Sequence, residues 1–216
     1  YYRTHTCLIQ KYLNQTYQKS NRIKTALTSI FLTGASSGIG RTISLRLASR
    51  GFKIFAAGRC VKRLRSLKEE SESNGYTITP VRLDLDDPDS LTIIREEFGD
   101  QKVIIDVLIN NAACGVWGTL ETLSDEKLRA QFETNLFGLM SLTRLLLPSI
   151  KLSTHGKIIN VSSVLGRFGT PFNGAYVASK FALEGLSESL RIELSPFNVG
   201  VLSVTARFRT SSTGSQ

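Results

Sequence analysis

A doubly wound α/β fold, carried on a parallel sheet of about six strands, is the architecture this 216-residue sequence predicts. Three observations predict it. Six short apolar runs alternate with stretches of helical periodicity, the pattern of repeated strand–helix units. Most of the runs are continuously apolar rather than alternating, as strands covered on both faces are. A glycine-rich segment lies between the first run and the first helical stretch, where such folds take anions.

Each element has its own reason. "TSIFLTG" (28–34) is a β-branched apolar run closed by glycine and reads as the first strand. Ile39, Ile43 and Leu47 recur at four-residue spacing and the pattern stops at Gly51, as an amphipathic helix does. "KIFAAG" (53–58) is the second strand and 61–75 the second helix. "ITPVRLD" (78–84) is the third strand, followed by a helix over 88–99 that opens on Pro88. "DVLINNA" (106–112) is the fourth strand, and a long helix spans 125–147. "KIINVSS" (157–163) is the fifth, a helix runs over 175–194, and "VGVLSV" (199–204) is the sixth.

The charge is uneven. Of the formal net +9, residues 1–25 carry Arg3, Lys11, Lys19, Arg22 and Lys24 with no acid, and the tail adds Arg207 and Arg209. The remainder holds 20 basic against 18 acidic residues, a nearly balanced body. The division expected is a basic extension at 1–26, one α/β domain at 27–205 and a polar tail at 206–216. Such an arm is a solvated terminus, or it binds an anionic surface or addresses an organelle. No nucleic-acid motif accompanies it, so no nucleic-acid partner is expected. Cys7, Cys60 and Cys114 form no metal-ligand or disulfide spacing, so neither a metal nor a disulfide framework is implied. A reducing, cytoplasmic setting follows from that usage. The most apolar run, 136–150, is too short to span a bilayer and is broken by Arg144, so no transmembrane segment is expected.

Candidate chemistry clusters where strands end. In "TGASSGIG" (33–40), Gly34, Gly38 and Gly40 allow backbone N–H groups to approach a pyrophosphate at a helix N-terminus. Ser36 and Ser37 add hydroxyl donors; the plainer reading is a glycine-rich helix cap. The second strand ends without the acid that grips the ribose of NAD. Arg59 stands there instead, with Arg41 just past the glycine loop. A guanidinium forks onto a 2′-phosphate, so NADP is favoured over NAD, unless both arginines are plain surface charges. Tyr176 and Lys180 share a helix face at i, i+4.

In this order the segments "TGASSGIG", "DLDD" (84–87), "NNAA" (110–113), "ETNLFG" (133–138), "IINVSS" (158–163) and "YVASK" (176–180) resemble the short-chain dehydrogenase/reductase family over about 28–205. The likeness is to its branch of bacterial carbonyl reductases and retinol and 17β-hydroxysteroid dehydrogenases. The resemblance implies a Rossmann fold and a catalytic tetrad of Asn135, Ser163, Tyr176 and Lys180. Ser163 is preferred to Ser162 because the family's serine stands thirteen residues before its tyrosine. It implies Asp84 at the adenine, Asn110 opening the segment along the cofactor with Ala112, and Ile39 within the phosphate loop. It further implies NAD(P)-dependent hydride transfer between a secondary alcohol and a carbonyl on a small, apolar substrate. Trp117 and Phe172 are candidates for the substrate cleft or for plain core packing.

The expected roles have a physical basis. A phenol titrates near 10, and working as a base near neutrality needs a drop of about three units, or ~4 kcal/mol. One cation at about 4 Å in an effective dielectric near 20 supplies roughly that. Lys180 is therefore expected to lower Tyr176, and Asn135 to hold a water that connects Lys180 to solvent. Two departures stand against the family pattern. Ala113 replaces a glycine, and "VTARFRTSSTGSQ" lacks the Pro-Gly turn after the sixth strand. A C-terminally truncated form is expected, with the seventh strand missing and a homodimer or homotetramer weakened. A catalytically impaired cofactor-binding or interaction protein is the alternative.

Overall fold

The computed structural model describes residues 28–99 and 103–206. The basic arm and the residues after 206 lie outside the described residues. Six strands, β1 (Ser29–Thr33), β2 (Lys53–Gly58), β3 (Ile78–Arg82), β4 (Val107–Asn110), β5 (Lys157–Ser163) and β6 (Gly200–Ala206), form one sheet. Their order is β3-β2-β1-β4-β5-β6 and every pairing is parallel. The chain winds outward from β1 to β3, returns to lay β4 on the other side of β1, and winds outward again. The strand order therefore reverses between β1 and β4, which opens a crevice at the carboxyl ends of the strands.

Helices α1 (Gly38–Ala48), α2 (Val61–Ser73), α3 (Pro88–Phe98), α4 (Asp125–Phe132), α5 (Gly138–Leu152) and α6 (Gly174–Glu193) cover the sheet. Alternation within each strand divides the core in two. Ile30, Leu32 and Ile54 face Ile43 and Leu47 of α1 and Leu64 and Leu67 of α2. Phe31, Leu108 and Ile158 face Ile94 and Phe98 of α3 and Leu142, Leu146 and Ile150 of α5. Phe98 meets the edges of Phe31 and Phe55 at 5.2 and 5.0 Å between ring centroids. Each fully buried Leu, Ile or Phe contributes about 1.5–3 kcal/mol, so both layers are needed to hold a sheet with two apolar faces.

Several boundaries differ from those expected, each for a local reason. β4 stops at Asn110 rather than 112 because Thr33 Oγ1 accepts from the backbone N–H groups of Asn111 and Ala112, both at 3.0 Å. Those bonds turn the chain into the crevice. The long helix begins at Asp125 as expected but is not uniform. A π-helical turn, Glu133–Phe137, separates α4 from α5, which runs on to Leu152 with Pro148 inside it. Close packing at the junction is explained by Gly138, where a Cβ would strike the Leu85 carbonyl. Beneath the sheet's carboxyl end a buried polar chain ties three elements together. Asn110 Nδ2 donates to Asn160 Oδ1 at 2.9 Å, and Asn160 Nδ2 donates to Ser187 Oγ of α6 at 2.8 Å.

Candidate active site

The crevice is a cavity of about 870 Å³, running from the β1–α1 loop to the start of α6. That volume is within the range of cofactor and ligand sites, roughly 300–1,000 Å³. At the loop end, Gly34 has φ 68°, left-handed space that glycine enters without strain. A Cβ on Gly34 would come within 2.8 Å of Asn111 Nδ2, and one on Gly40 within 2.7 Å of the same atom and into the Gly34 carbonyl. The backbone is thus folded tightly on itself beneath the N-terminus of α1. No acid lies in the first turn of α1, and the Ser37 side chain makes no capping bond. Uncompensated N–H groups there present positive potential to the cavity.

The two arginines part company. Arg59 lines the cavity. Arg41 is turned onto α2, paired with Glu70 and donating to the Arg63 carbonyl at 3.3 Å. Arg63 itself lines the cavity, a residue that sequence reasoning missed although it stands one helical turn beyond Arg59. Asp84 also lines it, its Oδ1 accepting from the Asp86 N–H at 3.2 Å. The other two acids of "DLDD" serve the fold. Asp86 accepts from Thr134 Oγ1 at 2.6 Å, and Asp87 caps α3 by accepting from the Asp89 N–H at 3.0 Å.

At the opposite end, β5 and α6 bring Ser163, Tyr176 and Lys180 to one wall. Ser163 closes β5 and begins a 3₁₀ turn, its Oγ accepting from the Leu165 N–H at 3.2 Å. It faces Tyr176 and pulls the phenol's titration downward. Lys180 is 3% exposed, and its Nζ donates to the Val161 carbonyl at 3.0 Å. The ammonium sits 5.7 Å from the centre of the Tyr176 ring. Ser162 lines the cavity too, with its buried Oγ unpartnered among the described residues.

Electrostatics overturns one expectation. Tyr176 is raised above the ordinary phenol value, not lowered. Burial is the main cause; Ser163 pulls downward, and negative charge on Cys114 would add to the rise. The Lys180 ammonium donates to Val161 and stands 5.7 Å from the centre of the Tyr176 ring, and burial outweighs its pull on the phenol. Burial in turn lowers Lys180 to about 8, while Cys114 and Glu184 pull it back up. At neutral pH the pair is therefore a protonated phenol beside an ammonium.

Asn135 occupies the π-helical turn and is 1% exposed. Its Oδ1 accepts from the Cys114 N–H at 2.9 Å, and its Nδ2 donates to the Cys114 carbonyl at 2.9 Å and to Ser179 Oγ at 3.1 Å. Three of the amide's four hydrogen-bonding positions are engaged in these contacts. It fixes the loop after β4 against α6. Residues 28–213 match the model of the short chain dehydrogenase family.

The chain belongs to the short-chain dehydrogenase/reductase family. It is 36% identical over 172 residues to a 3-ketodihydrosphingosine reductase of Bacteroides thetaiotaomicron, covering 80% of this chain and 60% of that protein. It is 37% identical over 180 residues to human 17-beta-hydroxysteroid dehydrogenase type 1, covering 81% and 54%. The chain thus spans 54–60% of the length of these curated relatives. Among solved structures, a metagenomic short-chain oxidoreductase in complex with NADP superposes with a TM-score of 0.77 at 31% identity, covering 82% of this chain and 81% of that one. A short-chain dehydrogenase from Sphingobium yanoikuyae in complex with NADPH gives 0.76 at 30%, covering 82% and 69%.

Within this family member, Gly34, Ser36, Ser37, Gly38, Ile39, Gly40, Arg59, Asp84 and Ala112 all line the cavity with Ser163, Tyr176 and Lys180. Asn110 does not. It is 2% exposed and turned into the layer between β5 and α5, and Asn111 takes the place beside the glycine loop. Among the described residues no group of acids, histidines and cysteines could hold a metal, and no helix is long and apolar enough to cross a membrane.

Proposed function

We propose that the protein is an NADP-dependent oxidoreductase that transfers a hydride between the nicotinamide and a secondary alcohol or carbonyl. The observation that carries this reading is one continuous cavity with a glycine loop at one end and Ser163, Tyr176 and Lys180 at the other. The residues fit a dinucleotide. Glycines at 34 and 40 let the loop fold tightly on itself against Asn111 beneath the N-terminus of α1, whose free N–H groups suit a pyrophosphate, and Arg59 supports NADP over NAD by offering a fork to a 2′-phosphate. Solved relatives carrying NADP and NADPH support the same choice.

When bound, the nicotinamide supplies the hydride. Everything else falls to this chain's side chains. Tyr176, protonated at neutral pH, gives its hydroxyl proton to the carbonyl oxygen as the carbon becomes tetrahedral, so a C=O becomes a CH–OH. Ser163, on the same wall as Tyr176, orients that oxygen. The Lys180 ammonium lowers the cost of the negative charge left on the phenolate, which solvent then reprotonates. In the reverse direction the phenolate takes the alcohol's proton.

The test is absorbance at 340 nm with NADPH or NADH and a set of ketones. Oxidation of NADPH in preference to NADH, dependent on the ketone, is expected. Binding of neither nucleotide would sink the proposal.

A further inference from the structure

The loop after β4 displays one feature that the proton-transfer wall does not use. Trp117, the sole tryptophan of the sequence, lines the cavity yet is 71% exposed. Its backbone is held on both sides. The Val116 N–H donates to Gln131 Oε1 at 2.6 Å, and the Gly118 N–H donates to the Phe172 carbonyl at 3.0 Å. An exposed indole on a pinned backbone is not loose-loop exposure. Gly115 stands between the indole and the acid/base residue: a Cβ there would lie 3.6 Å from the Tyr176 ring and 4.0 Å from Trp117 Nε1. Gly115 puts no side chain between them, so Tyr176 and the indole line one continuous slot at this end of the cavity.

The surroundings of the slot are neutral. Gly115, Val164 and Leu165 line it with Cys114, and the polar neighbours Thr170 and Asn173 are uncharged. Among the described residues lining this end, Lys180 is the one charged side chain, and it is buried and bonded to Val161. Among the described residues a substrate carboxylate or phosphate would find no free cation beside it, and burying it there would carry a desolvation cost.

Building on the reductase reading above, we propose that Trp117 is a specificity-determining residue and that the slot takes a neutral ketone bearing a ring-sized apolar body. The carbonyl faces Tyr176 and Ser163 while the ring system lies against the indole. Covering about half of a side chain of this size, at about 25 cal/mol per Å² of apolar surface, corresponds to roughly 30-fold in kcat/KM.

The experiment compares 2-decalone, a bicyclic ketone, with 2-butanone as substrates for NADPH oxidation. In Trp117→Ala the ratio of kcat/KM for decalone over butanone falls roughly 30-fold, and Trp117→Phe restores most of it. Leu120→Ala, an equally exposed apolar residue of the same loop outside the cavity, leaves the ratio unchanged. An unchanged ratio in Trp117→Ala, or an equal loss in Leu120→Ala, overturns the proposal. A second readout needs no turnover. Emission excited at 295 nm reports Trp117 alone, and 2-decalone should shift its maximum to the blue in the protein saturated with NADP⁺, with which a ketone cannot react. A shift without ketone reduction would leave this inference standing and remove the reductase reading. No shift at saturating ketone would remove the inference.

Discussion

Replacing Lys180 by methionine should make the protein more stable at pH 7 while removing its activity. The ammonium is 3% exposed and its pKa is lowered from 10.5 to about 8 by burial. A lowered lysine means the folded chain gives up its proton more readily than the unfolded one. At pH 7 the folded state therefore carries a penalty of about 3 kcal/mol, from ~1.36 kcal/mol per pKa unit. Between pH 8 and 10.5 the unfolded chain still holds a proton that the folded chain has lost, so wild-type stability rises with pH across that window. Methionine fills similar volume without charge but loses the bond to Val161, worth about 1 kcal/mol. The net gain at pH 7 is about 2 kcal/mol, or about 1 M in a urea midpoint for a slope near 2 kcal/mol/M. By pH 9.5 the two proteins should unfold at nearly the same urea concentration. A variant less stable at pH 7, or a difference that stays constant from pH 7 to 9.5, would refute the idea of a strained buried cation.

Further outcomes follow from the same geometry. Gly40→Ala drives a Cβ into the Gly34 carbonyl and should lower stability by about 2 kcal/mol, a fall of about 6 °C in Tm by calorimetry, with nucleotide binding lost. Arg59→Ala should weaken NADPH at least tenfold and leave NADH unchanged in fluorescence titrations, whereas Arg41→Ala should affect both alike because Glu70 already holds that guanidinium. Asn135→Leu should free the Cys114 amide, seen as faster hydrogen exchange there, and lower kcat/KM about tenfold or more through the loosened loop.

Elements with a strong local signature were legible in the sequence. β2 and β5 run over 53–58 and 157–163, the ranges their unbroken apolar runs and closing turn residues announce. The glycine loop and the i, i+4 spacing of Tyr176 and Lys180 likewise depend on backbone period alone, so their places in the crevice could be anticipated. What could not be read depends on where a side chain turns after the layers pack. Nothing in the spacing of "ETNLFG" shows a π-helical turn or an amide consumed by Cys114 and Ser179. Arg41 stands as a second candidate behind Arg59 in the sequence, and only the packing of α2, which brings Glu70 beside it, takes it out of the cavity. Asn110 and Asn111 are neighbours on a strand's end, and the pleat sends the first into the α5 layer while the turn sets the second by the cavity. The direction of the Tyr176 shift is a contest between burial and charge that only packing decides.

Tyr176→Phe tests the central claim most directly, since it removes one hydroxyl and keeps the ring beside Gly115. NADPH affinity should be unchanged within a factor of two or three in a titration, while single-turnover oxidation of NADPH by a ketone slows at least a hundredfold, the range for a general acid. Unslowed turnover with intact binding would contradict the assignment of Tyr176 as the proton donor.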